Sequence, residues 1–334
     1  MKKLIYLVCA TLLVIIAVSC AKQKSGDLPL PTSRKEAVYI TTDNNNLISY
    51  NPYTGDKQWE VHFNGACEGV PVMYKKKLYL VTNAGWFYSV DILKGEIYFQ
   101  KDIKKITKLS IAMDNEKIYV AAIDSLHCFD LSGNKQWSYD PGTGKQPTSS
   151  PQVANGHIYL GIGDKLHAVN TSGTQFWTSP SAGGVDIVSS PRVSNSLVYF
   201  GGGDKMIYAL NESNGSIKWQ YLTKDKVFSS PMVYGGMCIL GSQDYGVYCI
   251  DTTSPSIPMQ GELRWKYPTI DRVSSSPTVY APDNTVLVGS YDFNLYAIDH
   301  VSGTLKWKYP AGSIIKSSPV VYGEHVYFTA LDRY

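Results

Sequence analysis

The chain has 334 residues, 44% hydrophobic and 18% charged, with a formal net charge of +3 at pH 7. That length and apolar content can bury a large core in one domain. Loss of Lys2 and Lys3 with a leader lowers the charge to +1, and so near-neutral a chain excludes nucleic acid as its main partner.

Residues 1–19 read as a secretion leader. Lys2 and Lys3 form a basic start, and Leu4 to Val18 is an apolar core too short for a confident membrane span. Ala17-Val18-Ser19-Cys20 resembles a bacterial lipobox, which makes Cys20 the expected lipid attachment site. The alternative is an ordinary leader with an incidental cysteine. A single acyl chain anchors marginally, whereas the several palmitate-type chains of a bacterial lipoprotein hold a protein to a membrane without a spanning helix. Residues 20–35 are proline-containing and poor in apolar side chains, as suits a flexible tether. Ala21 rather than Asp after the cysteine implies sorting to the outer membrane, facing the periplasm. Surface exposure is the alternative.

Residues 36–334 read as one all-β domain made of a repeat. Its clearest copy runs from Val273 to Trp307. A Ser-Ser-Pro lead-in precedes strand A at Thr278–Tyr280. Strand B covers Val286–Val288, a turn spans Gly289–Asn294, and strand C is Leu295–Ile298. Asp299 and Gly303 bracket a second turn, and strand D is expected to end at Trp307. β-Branched and aromatic residues between Gly, Asp, Asn and Ser turns are the strand signal. The strand-D aromatic recurs at Trp59, Phe99, Trp137, Trp177, Trp219, Trp265 and Trp307, every 38 to 46 residues. A period near 40 with four strands per period is the pattern of a β-propeller.

Strands A, C and D occur seven times and strand B eight times. The first copy lacks strand A, and the last lacks strands C and D. Seven blades are therefore expected, with Pro319–Tyr322 joining the sheet built from Val38 to Trp59 and one strand B surplus. The alternative is eight blades, two of them incomplete.

Ala297, Asp299, Gly303 and Trp307, like Ala209, Asn211, Gly215 and Trp219, resemble the pyrroloquinoline-quinone-type (PQQ-like) propeller repeat, Ala-x-Asp-x-x-x-Gly-x-x-x-Trp. The resemblance covers everything after residue 36. It implies a fold shared by quinoprotein dehydrogenases and by non-catalytic scaffolds such as the outer-membrane assembly lipoprotein BamB. The dehydrogenases use an adjacent-cysteine disulfide and a calcium site. This chain has no Cys-Cys pair, so no cofactor is expected and the enzyme reading is set aside.

Several repeated groups look chemical and read as structural. Asn51, Asp91, Asp130, Asn170, Asn211, Asp251 and Asp299 close strand C ahead of turn glycines, where Asx side chains set turns. No metal is assigned to them. Two residues earlier the slot is always small: Ser49, Ser89, Cys128, Ala168, Ala209, Cys249 and Ala297. Cys238 and Cys249 are expected to face each other across a hairpin, with a bridge disfavoured by geometry; Cys67 has no mate. His127 and His167 stand where other copies carry tyrosine, and His157 and His325 are expected at surface turns. Ser149, Ser189, Ser229, Ser275 and Ser317 lack a neighbouring base, so no catalytic residue is assigned.

The loops from strand D to the next strand A lead to the innermost strand and vary most. They carry the candidate axial-face binding residues Glu68, Lys108, Asp186, Lys226, Arg272 and Lys316. Trp86, outside the repeated slot, is a candidate aromatic contact in a strand B–C turn. The expected function is a non-catalytic envelope lipoprotein that binds another envelope protein. The alternative is a glycan- or small-ligand-binding propeller, with Glu68 and Asp186 as an acidic pair for glycan cleavage.

Overall fold

The computed structural model describes residues 36–104, 109–142, 144–253 and 259–331. Cys20 and Lys108 lie outside the described residues. The described chain divides into two compact units, 36–111 and 112–331. The first holds a three-stranded sheet of Val38–Thr41, Asn46–Tyr50 and Lys57–His62. A four-stranded sheet of Val72–Tyr74, Lys77–Val81, Trp86–Asp91 and Ile97–Asp102 follows it. From the strand Ile111–Asp114, which begins at the boundary residue Ile111, further four-stranded sheets follow, starting at that strand and at Gln152–Ala154, Arg192–Ser194, Met232–Tyr234 and Thr278–Tyr280. A hairpin of Val320–Tyr322 with His325–Tyr327 comes last. Each four-stranded sheet runs A-B-C-D with antiparallel neighbours. One gains a fifth strand, Met259–Gln260, parallel to Ile217–Leu222.

The small strand-C slot has a packing reason. Ala168 lies opposite Tyr159 on one side and Trp177 on the other, and Ala209 lies likewise between Tyr199 and Trp219. A short side chain there lets the two flanking rings meet over it, with centroids 5.7 Å apart for Tyr159–Trp177 and 5.9 Å for Tyr199–Trp219. Cys128 plays the same part between Tyr119 and Trp137, at 5.8 Å. A register shift directly follows the small residue in these pairings, so each strand D is bent where its aromatic ring sits.

The strand-D tryptophan also fastens one copy to the next. Trp59 Nε1 donates to the Ile92 carbonyl at 3.1 Å, Trp137 to Thr171 at 3.2 Å, Trp177 to Glu212 at 2.8 Å and Trp265 to His300 at 2.9 Å. Each acceptor follows the Asx that closes strand C of the next copy. The turn glycine lies under the same ring: a Cβ on Gly215 would come 2.5 Å from Trp177, and one on Gly303 2.5 Å from Trp265. Both glycines also have φ of +70°, so they are needed twice over. Trp219, fully buried, packs against Gly261 in the lengthened turn, but its Nε1 finds no partner among the described residues.

Four expectations meet the structure here. Strand D does not end at its tryptophan: it runs Leu305–Pro310, because the residues after Trp307 still pair with the first half of strand C, Leu295 with Tyr309 and Asn294 with Pro310. Val320–Tyr322 pairs only with His325–Tyr327, and Val38–Trp59 forms a sheet of its own, so the shared closing sheet is not formed among the described residues. Strand B takes its neighbours from its own copy; in both end copies it is regular and stands at the edge of its sheet, so an irregular surplus strand is not found among the described residues. Cys238 lies opposite Ile250 and Cys249 opposite Ile239. An offset of one residue turns the two thiols to opposite faces. Both are free and buried, and burial pushes the Cys249 thiol up to about 12.

Candidate functional site

The loops that carry the candidate residues are built by the Ser-Ser-Pro lead-in. The first serine locks the loop to the end of strand B. Ser189 Oγ accepts from the Gly201 amide at 2.7 Å and donates to its carbonyl at 2.9 Å; Ser275 does the same with Gly289 at 2.8 and 2.9 Å, and Ser317 with Thr329 at 2.8 and 3.0 Å. The second serine ties neighbouring copies. The Ser190 amide donates to Ser230 Oγ at 2.9 Å, Ser230 to Ser276 at 3.0 Å and Ser276 to Ser318 at 3.1 Å. These hydroxyls are spent on the fold, which accounts for the repeated serines without a nucleophile.

The loop then crosses strand B so closely that only glycine fits. A Cβ on Gly241 would stand 2.2 Å from Val273 Cγ1, and one on Gly289 2.2 Å from Ile315 Cγ2. Main-chain bonds complete the bracket: Gln243 N to Lys226 O at 2.9 Å, Tyr291 N to Arg272 O at 3.0 Å, and Ile315 N to Ser290 O at 3.1 Å. Each strand B–C turn therefore sits between the lead-in loop of its own copy and that of the next.

Acidic residues in these turns are engaged as well. Asp204 accepts from the Tyr208 hydroxyl at 2.5 Å, Asp244 from Tyr248 at 2.5 Å and Asp292 from Tyr296 at 2.7 Å. His127 fills the tyrosine slot and meets Asp124 at 3.0 Å and Ser138 at 2.8 Å. His167 is buried beside the Tyr139 hydroxyl at 3.0 Å, and burial lowers its pKa to about 4. Both histidines thus stand in for the sheet tyrosine, as expected. An Asp four residues before the tyrosine was a readable signal for these pairs. His157 and His325 are half-buried strand residues rather than surface-turn ones, and His157 stacks on Phe176 at 4.2 Å.

The Asx groups closing strand C accept from turn amides, as at Asp91 with Leu93 and Lys94, both 2.8 Å. At Asp299 the Ser302 amide, working against burial and aided by the Ser302 hydroxyl, the Val301 amide and Lys306, holds the carboxyl down to about 2. Turn-setting is thus the observed role of these side chains.

Of the candidate binding residues, Glu68 belongs to the first unit, where it is half-buried and accepts from Asn83 Nδ2 at 2.8 Å. Asp186, Lys226, Arg272 and Lys316 are exposed in the second. Lys226 lies 5.9 Å from the Phe228 ring centre. Arg272 and Lys316 converge on one ring: Tyr291 is 5.8 Å from the guanidinium and 5.4 Å from the ammonium. Tyr291 was missed. Its signal was its slot, two residues after Gly289, where the preceding copies carry Gly203 and Gln243. Trp86 is half-buried, begins strand C of its copy and packs into the first unit's core beside Tyr88 at 6.5 Å. Separately, Met206, Gln220, Tyr221, Leu222, Met259 and Gln260 line a cavity of about 490 Å³ next to the fifth strand.

A family model described as outer membrane protein assembly factor BamB, built on PQQ-like repeats, matches residues 17–124, 116–272 and 255–333. The chain belongs to this family. The crystal structure of BamB from Moraxella catarrhalis superposes with a TM-score of 0.73 at 16% identity over 90% of both chains. A computationally designed protein, Ika8, gives a TM-score of 0.76 at 14% identity, covering 99% of this chain and 97% of that one. Quinohemoprotein alcohol dehydrogenase from Comamonas testosteroni gives 0.68 at 12% identity, covering 86% and 67%. At these identities the likenesses show the fold alone, a β-propeller of PQQ-like repeats. No curated protein matches in sequence. Among the described residues no helix is long and apolar enough to cross a membrane.

Proposed function

We propose that the protein is a non-catalytic scaffold of the bacterial envelope that docks another envelope protein on its lead-in loops. Membership of the BamB family carries the reading. The loop architecture supports it. Serines, aspartates and tyrosines that look reactive are engaged in internal bonds, whereas Asp186, Lys226, Arg272 and Lys316 are exposed on rigid main-chain brackets. Loops held by a stiff frame present side chains to a partner at low ordering cost. Cys20 is the proposed lipid anchor, which would hold the protein to the outer membrane from the periplasmic side.

In-cell chemical crosslinking of the anchored protein, followed by identification of captured species, tests the docking reading; recovery of a discrete envelope protein supports it, and recovery of none counts against it. Cys20→Ser tests the anchor separately. The variant is expected in the soluble envelope fraction, and persistence in carbonate-washed membranes would rule the anchor out.

A further inference from the structure

We propose that the strip Lys226–Gln243–Ser274–Arg272–Tyr291–Lys316 binds an acidic, extended segment of a partner polypeptide. The inference rests on the scaffold reading and names the chemistry of its contact. The strip is built from one bond repeated in consecutive copies: the amide of the turn residue, Gln243 or Tyr291, donates to the carbonyl of the lead-in cation, Lys226 or Arg272, at 2.9 and 3.0 Å. Gln243 and Tyr291 therefore occupy equivalent places. The loop of the following copy closes the other side. It supplies Ser274 Oγ, which accepts from Gln243 Nε2 at 2.7 Å, and Lys316, 5.4 Å from the Tyr291 ring.

Two exposed cations beside one tyrosine ring offer paired positive charge to an anion. Cation–π attraction holds each head near the ring without neutralising it. An arginine fork grips a carboxylate in two places, and a lysine adds a mobile charge beside it. The nearby acids do not occupy these heads fully. Asp225 and Asp271 accept the main-chain N–H of Lys226 and Arg272 at 2.8 and 2.7 Å, and Arg272 Nε stays 3.8 Å from Asp271. Asp292 is taken by Tyr296 and the Ile270 amide. No ion pair engages Lys226 or Lys316 among the described residues. The equivalent slots in earlier copies of the same unit hold Asp186 before the loop hydrophobe, Val188 after it, and Gly163 and Gly203 in the turns. At these aligned slots the cations Lys226, Arg272 and Lys316 therefore fall in three successive copies, a length that suits an extended chain carrying several carboxylates.

The probe is fluorescein-labelled hexaglutamate, followed by anisotropy at rising ionic strength, with hexalysine and heparin as comparators. Binding of hexaglutamate alone that weakens with salt is expected. Arg272→Glu with Lys316→Glu should weaken it at least tenfold, and Tyr291→Leu severalfold. Lys57→Glu with Lys94→Glu makes the same charge change in the first unit and should leave it unaltered. Arg272→Gln with Lys316→Gln serves if the reversal does not fold. Absent hexaglutamate binding, equal loss in the Lys57/Lys94 variant, or preference for heparin overturns the inference. Partner capture that survives the Arg272/Lys316 reversal also overturns it and leaves the scaffold reading standing.

Discussion

The tryptophan belt and the lead-in loops repeat with the same period but use their side chains in opposite ways. In the belt the polar atoms are mostly spent inside the protein, the buried Trp219 Nε1 being an exception. The indole N–H reaches a carbonyl of the next copy, the Asx carboxyl or amide sets the turn, and glycine makes room for the ring. In the loops the serines and glycines repeat because they build the bracket, while the residues between them differ: Asp186, Lys226 and Arg272 at one position, Val188, Ser274 and Lys316 at another. A repeat protein thus shows which positions are bound to the frame and which are free for recognition. The belt should govern stability and the loops binding.

The largest stability loss is expected at Trp219→Ala. Its ring is fully buried, and removing an aromatic from such a site costs about 3–5 kcal/mol. Gly303→Ala should cost about 2–4 kcal/mol, because a Cβ must enter a left-handed conformation and press on Trp265. Chemical denaturation checks both, and a neutral Gly303→Ala would break the belt account.

Acid should then act through His167. Burial lowers its folded pKa to about 4, so the folded state binds fewer protons than the unfolded one, with its pKa near 6.5. The neutral ring's contribution is complete above pH 6.5 and is lost as pH falls toward 4, by about 3 kcal/mol in all. His167→Phe should flatten stability across that window; an unchanged slope would contradict the burial argument. Trp86→Ala should cost only about 1–2 kcal/mol, since that ring is half-buried outside the belt. Lys226→Ala and Lys316→Ala, both exposed, should move stability by less than about 0.5 kcal/mol.

What was legible in the sequence was mostly local. Strand order within a copy, the small strand-C slot and the Asx turns follow from residues a few positions apart. The Trp177–Glu212 bond joins residues in different copies, and no local pattern specifies it. The Cys238–Cys249 reading failed on a register offset of one residue, which reverses the face a side chain takes. The chain ends were misread because strand counts say nothing of which copy supplies a partner. At the candidate site Arg272 and Lys316 were identified, but their meeting on Tyr291 depends on how one copy's loop packs against its neighbour's turn.

Site-specific photocrosslinking in the native envelope tests the division between frame and loops most directly. A photoreactive residue at Lys226 or Lys316 is compared with one at Tyr98, exposed on a strand D of the first unit. The account predicts that both loop positions capture one discrete protein and that Tyr98 captures none. Capture from Tyr98 with silence at both loop positions would contradict it.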